Sequence, residues 1–180
     1  MLTTTPDDTA LVLASKAGDL DAFETLVRTH TPAIYAHAVR FFGDTNAAED
    51  VVQEVWIKVY RSLGSFDGRA RFSTWLYRVT RNTCLDLVRD GKRVPVPVET
   101  LDAAPQGDFA DTVALAATLE RGMQSLTTED RDALSAVSVF GLSYAEAAET
   151  LGVPVGTVKS RVFRARRALS VTLGLVSGGA

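Results

Sequence analysis

The chain has 180 residues, 46 % of them hydrophobic, a formal net charge of −3 and a single cysteine, Cys84. One cysteine excludes an intramolecular disulfide framework, and no run approaches the roughly 20 apolar residues of a membrane-spanning helix. Residues 1–9 carry two acids and no base, unlike a secretory signal. We therefore expect a cytoplasmic protein with no membrane insertion.

The spacing of apolar residues predicts helices throughout. They recur at three- and four-residue steps, and no sustained alternation indicates a sheet. Pro32 is expected to open a helix that ends at Gly43. Further helices are predicted over residues 46–63 and 73–90, the second of them capped by Ser73.

Residues 94–113 interrupt this pattern. They contain three prolines, a glycine and four acids without a base, which predicts an extended, flexible acidic linker; the alternative is a long loop within one domain. A second helical unit is expected from about Val113 to Gly174. The predicted fold is therefore all-α, with two small helical domains at residues 1–93 and 114–180.

The helix predicted over residues 46–63 has one apolar stripe and one acidic face. On a helical wheel of about 100° per residue, the core stripe consists of Val52, Trp56, Val59 and Leu63. The opposite face has an exposed isoleucine among polar residues, and its candidate contact residues are Asp50, Gln53, Glu54 and Ile57. This pattern favours a protein interface, and the alternative is a solvated face.

The loop from Phe66 to Phe72 and the helix after it combine aromatic residues, arginines and an amide. Aromatic rings stack on bases and cations follow phosphates, so the pattern predicts a single-stranded nucleic-acid site. Its candidates are Phe66, Arg69, Arg71, Trp75, Arg78, Asn82 and Arg89. The predicted inner face of the helix consists of Leu76, Val79, Thr83 and Leu87. The alternative for Trp75 is a place in the core.

Residues 141–169 have the features of a helix-turn-helix. Ser143 and Glu146 can form a capping box, and Gly152 can supply the turn. The wheel places Val158, Val162, Ala165 and Leu169 on the inner face of the second helix. The DNA-contact candidates near its start or on its outer face are Thr157, Lys159, Ser160, Arg161, Phe163, Arg164 and Arg167. Base contacts are predicted for Lys159, Ser160, Phe163 and Arg164, and phosphate contacts for Arg161, Arg166 and Arg167.

Other functions compete with nucleic-acid binding as explanations of these patterns. A solvated cationic helix accounts for the arginines of the helix-turn-helix but not for an outward Phe163. A dimeric regulator that binds duplex operators accounts for the second domain but not for the first. No metal-ligand cluster, phosphate loop or nucleophile–base pair is present in the sequence, so neither an enzyme nor a cofactor is expected.

Three motifs in this order resemble a sigma factor of the extracytoplasmic-function (ECF) group within the sigma-70 family: "AEDVVQEVWIKVYRSLGSF", "STWLYRVTRNTCLDLVRDGKR" and "GLSYAEAAETLGVPVGTVKSRVFRARRAL". The resemblance implies that the first domain is region 2, which docks on a β′ coiled coil of RNA polymerase core and opens the −10 element. It implies that the second domain is region 4, which recognises duplex DNA at the −35 element and meets the β flap. It also suggests an anti-sigma factor as a partner.

Overall fold

The computed structural model describes residues 8–91, 118, 122–123 and 125–174. The chain divides into two compact units, Met1–Val94 and Pro95–Ala180, and the described residues form helices and no strand. The all-α, two-domain prediction is confirmed. The predicted linker at residues 94–113 lies outside the described residues, and the exact domain boundaries stay a prediction.

The described part of the first unit, residues 8–91, contains four α-helices and a short 3₁₀ turn. They are α1 (Thr9–Lys16), α2 (Leu20–Phe42), α3 (Thr45–Ser62), the 3₁₀ turn Leu63–Ser65 and α4 (Phe72–Arg89). Asp19 and Asp44 cap α2 and α3, because their carboxylates accept hydrogen bonds from the backbone N–H of Ala22 and Asn46 at 3.0 and 2.9 Å. Gly43 ends α2 in the left-handed conformation, with φ at 66°.

The predicted start of α2 is wrong. Asp19 caps this helix, and Pro32 lies in its interior. A proline there removes one backbone hydrogen bond. The helix continues because its apolar face is fully buried at Leu26, Ile34 and Ala38, and packing of such a face supplies most helical stability.

The predicted cap of α4 is also wrong. The helix begins at Phe72, Arg71 occupies the N-cap position, and Ser73 is buried inside the first turn. The ring of Phe72 packs edge-on against His30 at 5.2 Å, which anchors the chain at that residue. His30 Nε2 in turn lies 2.9 Å from the carboxylate of Asp8, and both side chains are buried.

Both predicted inner faces in the first unit need a correction. The fully buried valines of α3 are Val51, Val55 and Val59, whereas Val52 is only half-buried. In α4 the prediction is right for Leu76 and Thr83 and wrong for the half-buried Val79 and Leu87. Their places in the core are taken by Tyr77, Thr80 and Cys84. Because α3 and α4 each pack on two neighbouring helices, their buried faces are wider than a single stripe.

The second unit contains α5 (Thr128–Ser138), α6 (Tyr144–Leu151) and α7 (Val155–Thr172) in its described part. Ser143 and Glu146 form the predicted capping box, and Gly152 makes the turn with φ at 67°. Helix α7 packs on α5 and α6 through the buried Val158, Val162 and Ala165. The helix-turn-helix geometry is therefore confirmed. No helix in the described ranges of the chain is long and apolar enough to cross a membrane.

Candidate nucleic-acid and protein interfaces

The outer face of α7 presents an aromatic ring among polar and basic side chains. Phe163 is 66 % exposed, and its exposed neighbours on this helix include Lys159, Ser160 and Arg167. Thr157 and Arg161 are half-buried. Ser160 donates a hydrogen bond to the carbonyl of Thr157 at 2.9 Å. The structure therefore brings the predicted DNA-contact residues onto one helix, with an exposed centre and half-buried edges.

Arg164 and Arg166 already have partners inside the protein. Arg164 donates from Nε and Nη2 to the two carboxylate oxygens of Asp130, at 3.1 and 2.6 Å. This hydrogen bond and the charge of Asp130 raise the pKa of Arg164, so its guanidinium stays charged. Arg166 donates from Nη2 to the hydroxyl of Ser138 at 3.3 Å. The sequence prediction missed Asp130, which lies 34 residues before Arg164.

Phe66 of the loop before α4 and Phe72 and Trp75 of α4 itself form an aromatic cluster. Their ring centroids are 5.1 to 6.1 Å apart, within the range of favourable aromatic pairs. Phe66 and Trp75 are half-buried, and Phe72 is buried. Trp75 thus belongs partly to a packed cluster, and it keeps a surface that solvent can reach.

A pocket of about 580 Å³ lies between this loop and α1. Its loop wall is formed by residues 66–73, which include the predicted Phe66, Arg69 and Arg71. The opposite wall comes from α1 and the residue before it, namely Asp8, Thr9, Val12, Leu13 and Lys16. Lys16 donates a hydrogen bond from Nζ to the carbonyl of Phe66 at 2.8 Å, which ties the two walls together. The sequence prediction did not include α1.

The remaining candidates for single-stranded DNA follow α4 away from the pocket. Arg78 is half-buried, whereas Asn82 and Arg89 are exposed. At 1.5 Å per residue, the distance along the axis from Trp75 to Arg89 is about 21 Å. Arg89 also forms an ion pair with Asp86 at 3.3 Å. These residues therefore extend a track along the helix and do not line the pocket itself.

The four residues predicted to contact a protein line one groove between α3 and α4. The groove has a volume of about 320 Å³, and Ile57 is 44 % exposed within it. It is lined by Asp50, Gln53, Glu54, Ile57, Lys58, Thr83, Asp86, Leu87 and Asp90. Lys58 and Asp86 form an ion pair across it at 3.3 Å. The α4 wall is a second feature that the sequence prediction missed.

Comparison with known proteins defines the class of this chain. It matches Sigma-70 region 2 over residues 26–94 and Sigma-70 region 4 over residues 116–169. It is 39 % identical to the RNA polymerase sigma-H factor of Pseudomonas aeruginosa, over 94 % of this chain and 95 % of that one. It is 38 % identical to the ECF RNA polymerase sigma factor SigM of Mycobacterium tuberculosis, over 96 % and 87 %.

Two solved structures are similar over nearly their whole length. CnrH in complex with the cytosolic domain of CnrY has a TM-score of 0.66 and 30 % identity, over 95 % of this chain and 99 % of that one. The sigma factor RpoE in complex with the anti-sigma factor NepR, from Bartonella quintana, has a TM-score of 0.64 and 26 % identity, over 85 % and 97 %.

The chain therefore belongs to the sigma-70 family. Within that family it is an ECF sigma factor, a protein of transcription initiation by RNA polymerase. This membership decides against the alternative of a dimeric operator-binding regulator.

Proposed function

We propose that this sigma factor binds RNA polymerase core and directs initiation at promoters whose −35 element is recognised by α7 and whose −10 element is opened by the first unit. The observation that supports the proposal is that one chain has two different surfaces with features suited to nucleic acid. One is a basic helix with an exposed phenylalanine, suited to a duplex groove, and the other is an aromatic pocket, suited to an unstacked base.

Recognition of the −35 element is proposed for the N-terminal half of α7. Side chains near the start of a recognition helix contact base edges, and later ones contact phosphates. Lys159, Ser160 and Phe163 are exposed in this half of the helix, and we expect Phe163 to contact a thymine methyl group. Arg161, Arg166 and Arg167 then supply phosphate contacts.

Opening of the −10 element is proposed for the pocket beside the loop at residues 66–73. Extruding a base costs a few kcal/mol, and we propose that binding of the extruded base offsets this cost. Stacking on an aromatic side chain contributes about 1–3 kcal/mol per base. Phe66 lines the pocket, and Trp75, which packs on Phe66 outside the pocket lining, offers a second such surface. A volume of about 580 Å³ lies in the range of small-molecule sites and accommodates a nucleobase. Arg69 and Arg71 also line the pocket, and we propose that they contact the phosphates.

Docking on polymerase is proposed for the groove between α3 and α4. Its exposed Ile57 lies among acidic residues, which suits a partner helix with both apolar and basic side chains. The β′ coiled coil is the proposed partner there, and the β flap is proposed for the second unit. Because RpoE is solved with the anti-sigma factor NepR, an anti-sigma partner is proposed for this chain as well.

Reconstituted transcription tests the proposal. The purified chain is added to core polymerase with the DNA upstream of its own gene, and transcripts and permanganate-reactive thymines are mapped. We expect a start site with a reactive −10 region, abolished by base substitutions in either element. If base substitutions in the two elements leave transcription unchanged, the proposed recognition is contradicted.

A substitution of Ile57 tests the proposed docking on polymerase separately. Ile57→Glu places a carboxylate at the centre of the groove, and we expect it to abolish core binding and transcription. Leu20→Glu changes an exposed leucine outside the groove in the same unit and is the matched control. Core binding unchanged by Ile57→Glu, measured by co-elution on gel filtration, would contradict docking at this groove.

A further inference from the structure

Asp130 holds one edge of the Arg164 guanidinium. A guanidinium has five N–H donors in a planar fork, with one edge formed by Nε and Nη2 and the other by Nη1 and Nη2. The two hydrogen bonds to Asp130 use Nε and Nη2, so they occupy the first edge. The second edge, which also has two parallel N–H groups, is not used by Asp130.

The carboxylate is far better fixed than the arginine it binds. The side chain of Asp130 is 9 % exposed, and that of Arg164 is 58 % exposed. The backbone N–H of Asp130 donates to the hydroxyl of Thr127, which caps α5, and α5 packs directly on α7. A long exposed arginine loses side-chain entropy when it must adopt one geometry. Asp130 removes much of that freedom before any DNA is bound.

We propose that Asp130 is a positioning residue for promoter recognition, which fixes Arg164 so that its Nη1–Nη2 edge contacts a base with two neighbouring acceptors. Guanine presents such a pair, O6 and N7, in the major groove. The inference rests on the proposed recognition of the −35 element by α7 and adds a residue of α5 that lies outside the recognition helix. The inference therefore predicts that the −35 element contains a G·C pair contacted by Arg164.

A competing role for Asp130 predicts a different change in DNA binding from a positioning role. If Asp130 instead withheld Arg164 from DNA by competing with phosphate, its removal would raise affinity for all duplexes. A positioning role predicts lower discrimination between the correct −35 element and one with a substituted G·C pair. The two roles are therefore separated by one measurement.

The test compares two holoenzymes, one made with the full-length wild-type sigma factor and one made with its Asp130→Asn variant. Affinities are measured for the promoter and for versions in which each G·C pair of the −35 element is replaced. We expect Asp130→Asn to lower the discrimination by about five- to tenfold, part of the effect of a bidentate contact. Glu129→Gln is the matched control, because it removes one exposed negative charge from the same turn and should leave discrimination unchanged.

Two further variants separate positioning from stability. Arg164→Lys keeps the charge but lacks the fork, and adding Asp130→Asn to it should lower discrimination no further. Asp130→Glu shifts the carboxylate by one methylene and replaces Asp130→Asn if that variant does not fold, with the same expected loss. An equal loss of affinity for all sequences, or unchanged or increased discrimination, would overturn the inference.

Failure of the inference differs from failure of the proposed function. If Arg164→Lys lowers discrimination and the Asp130 variants do not, only the role of Asp130 is overturned. If Phe163→Ala and Arg164→Lys both leave the discrimination unchanged, α7 does not recognise the −35 element. The proposed function of α7 and the role of Asp130 are then both overturned.

Discussion

At the scale of single residues, α7 carries two neighbouring side chains in different situations. Phe163 is 66 % exposed, whereas Arg164 is bound to a buried carboxylate. The helical wheel places both on the outer face and cannot distinguish them, because the partner of Arg164 lies on another helix. Phe163 can therefore be tested by its own substitution, whereas Arg164 has to be tested together with Asp130.

Phe163→Ala is expected to lower the affinity of holoenzyme for its promoter by about tenfold, because the lost apolar contact is made only with DNA. The free energy of unfolding should change by less than about 0.5 kcal/mol, as for other exposed substitutions. Val171→Ala, at the far end of the same helix and 44 % exposed, is the control and should change neither quantity. Unchanged promoter affinity of Phe163→Ala in a gel-shift assay would contradict the proposed contact.

At the scale of elements, local signals predicted what local geometry decides. The capping box at Ser143 and the turn at Gly152 are interactions within a few residues, and both are present. The continuation of α2 through Pro32 and the start of α4 at Phe72 depend on packing with distant residues, and both predictions are wrong. Likewise, the sequence predicted one wall of the pocket and one of the groove. Their other walls come from helices whose proximity is set by the tertiary fold.

Gly152→Ala is expected to destabilise the helix-turn-helix by about 1–2 kcal/mol, because φ at 67° is unfavourable for a residue with a Cβ atom. Space is not the cause, since no atom lies within 4 Å of the added Cβ. Gly156→Ala, inside α7 and equally uncrowded, should instead stabilise by up to about 1 kcal/mol. Urea unfolding of the full chain measures both, and equal effects of the two substitutions would contradict this account.

At the scale of the whole molecule, charge is separated along the chain. From Gly152 onward there are five bases and no acid, whereas residues 94–113 carry four acids and no base, and the net charge is −3. This distribution combines one basic segment suited to duplex DNA with a total charge that opposes DNA binding. Binding of polymerase to the acidic groove would mask part of the opposing charge. The sigma factor alone and the holoenzyme are therefore expected to differ strongly in DNA affinity.

We expect the free chain to bind promoter DNA with the micromolar or weaker affinity typical of non-specific binding, and holoenzyme to bind at least about a hundredfold more tightly. Fluorescence anisotropy at about 150 mM salt measures both, with a duplex of scrambled −35 and −10 elements as the control. The free chain should scarcely distinguish the two duplexes, because a single helix-turn-helix supplies few base contacts and the −10 element stays closed without polymerase. Lower salt should strengthen its binding to both equally, since phosphate contacts carry no sequence information. Tight and sequence-specific binding by the free chain at this salt concentration would contradict the division of labour between the two DNA surfaces, since one surface would then suffice.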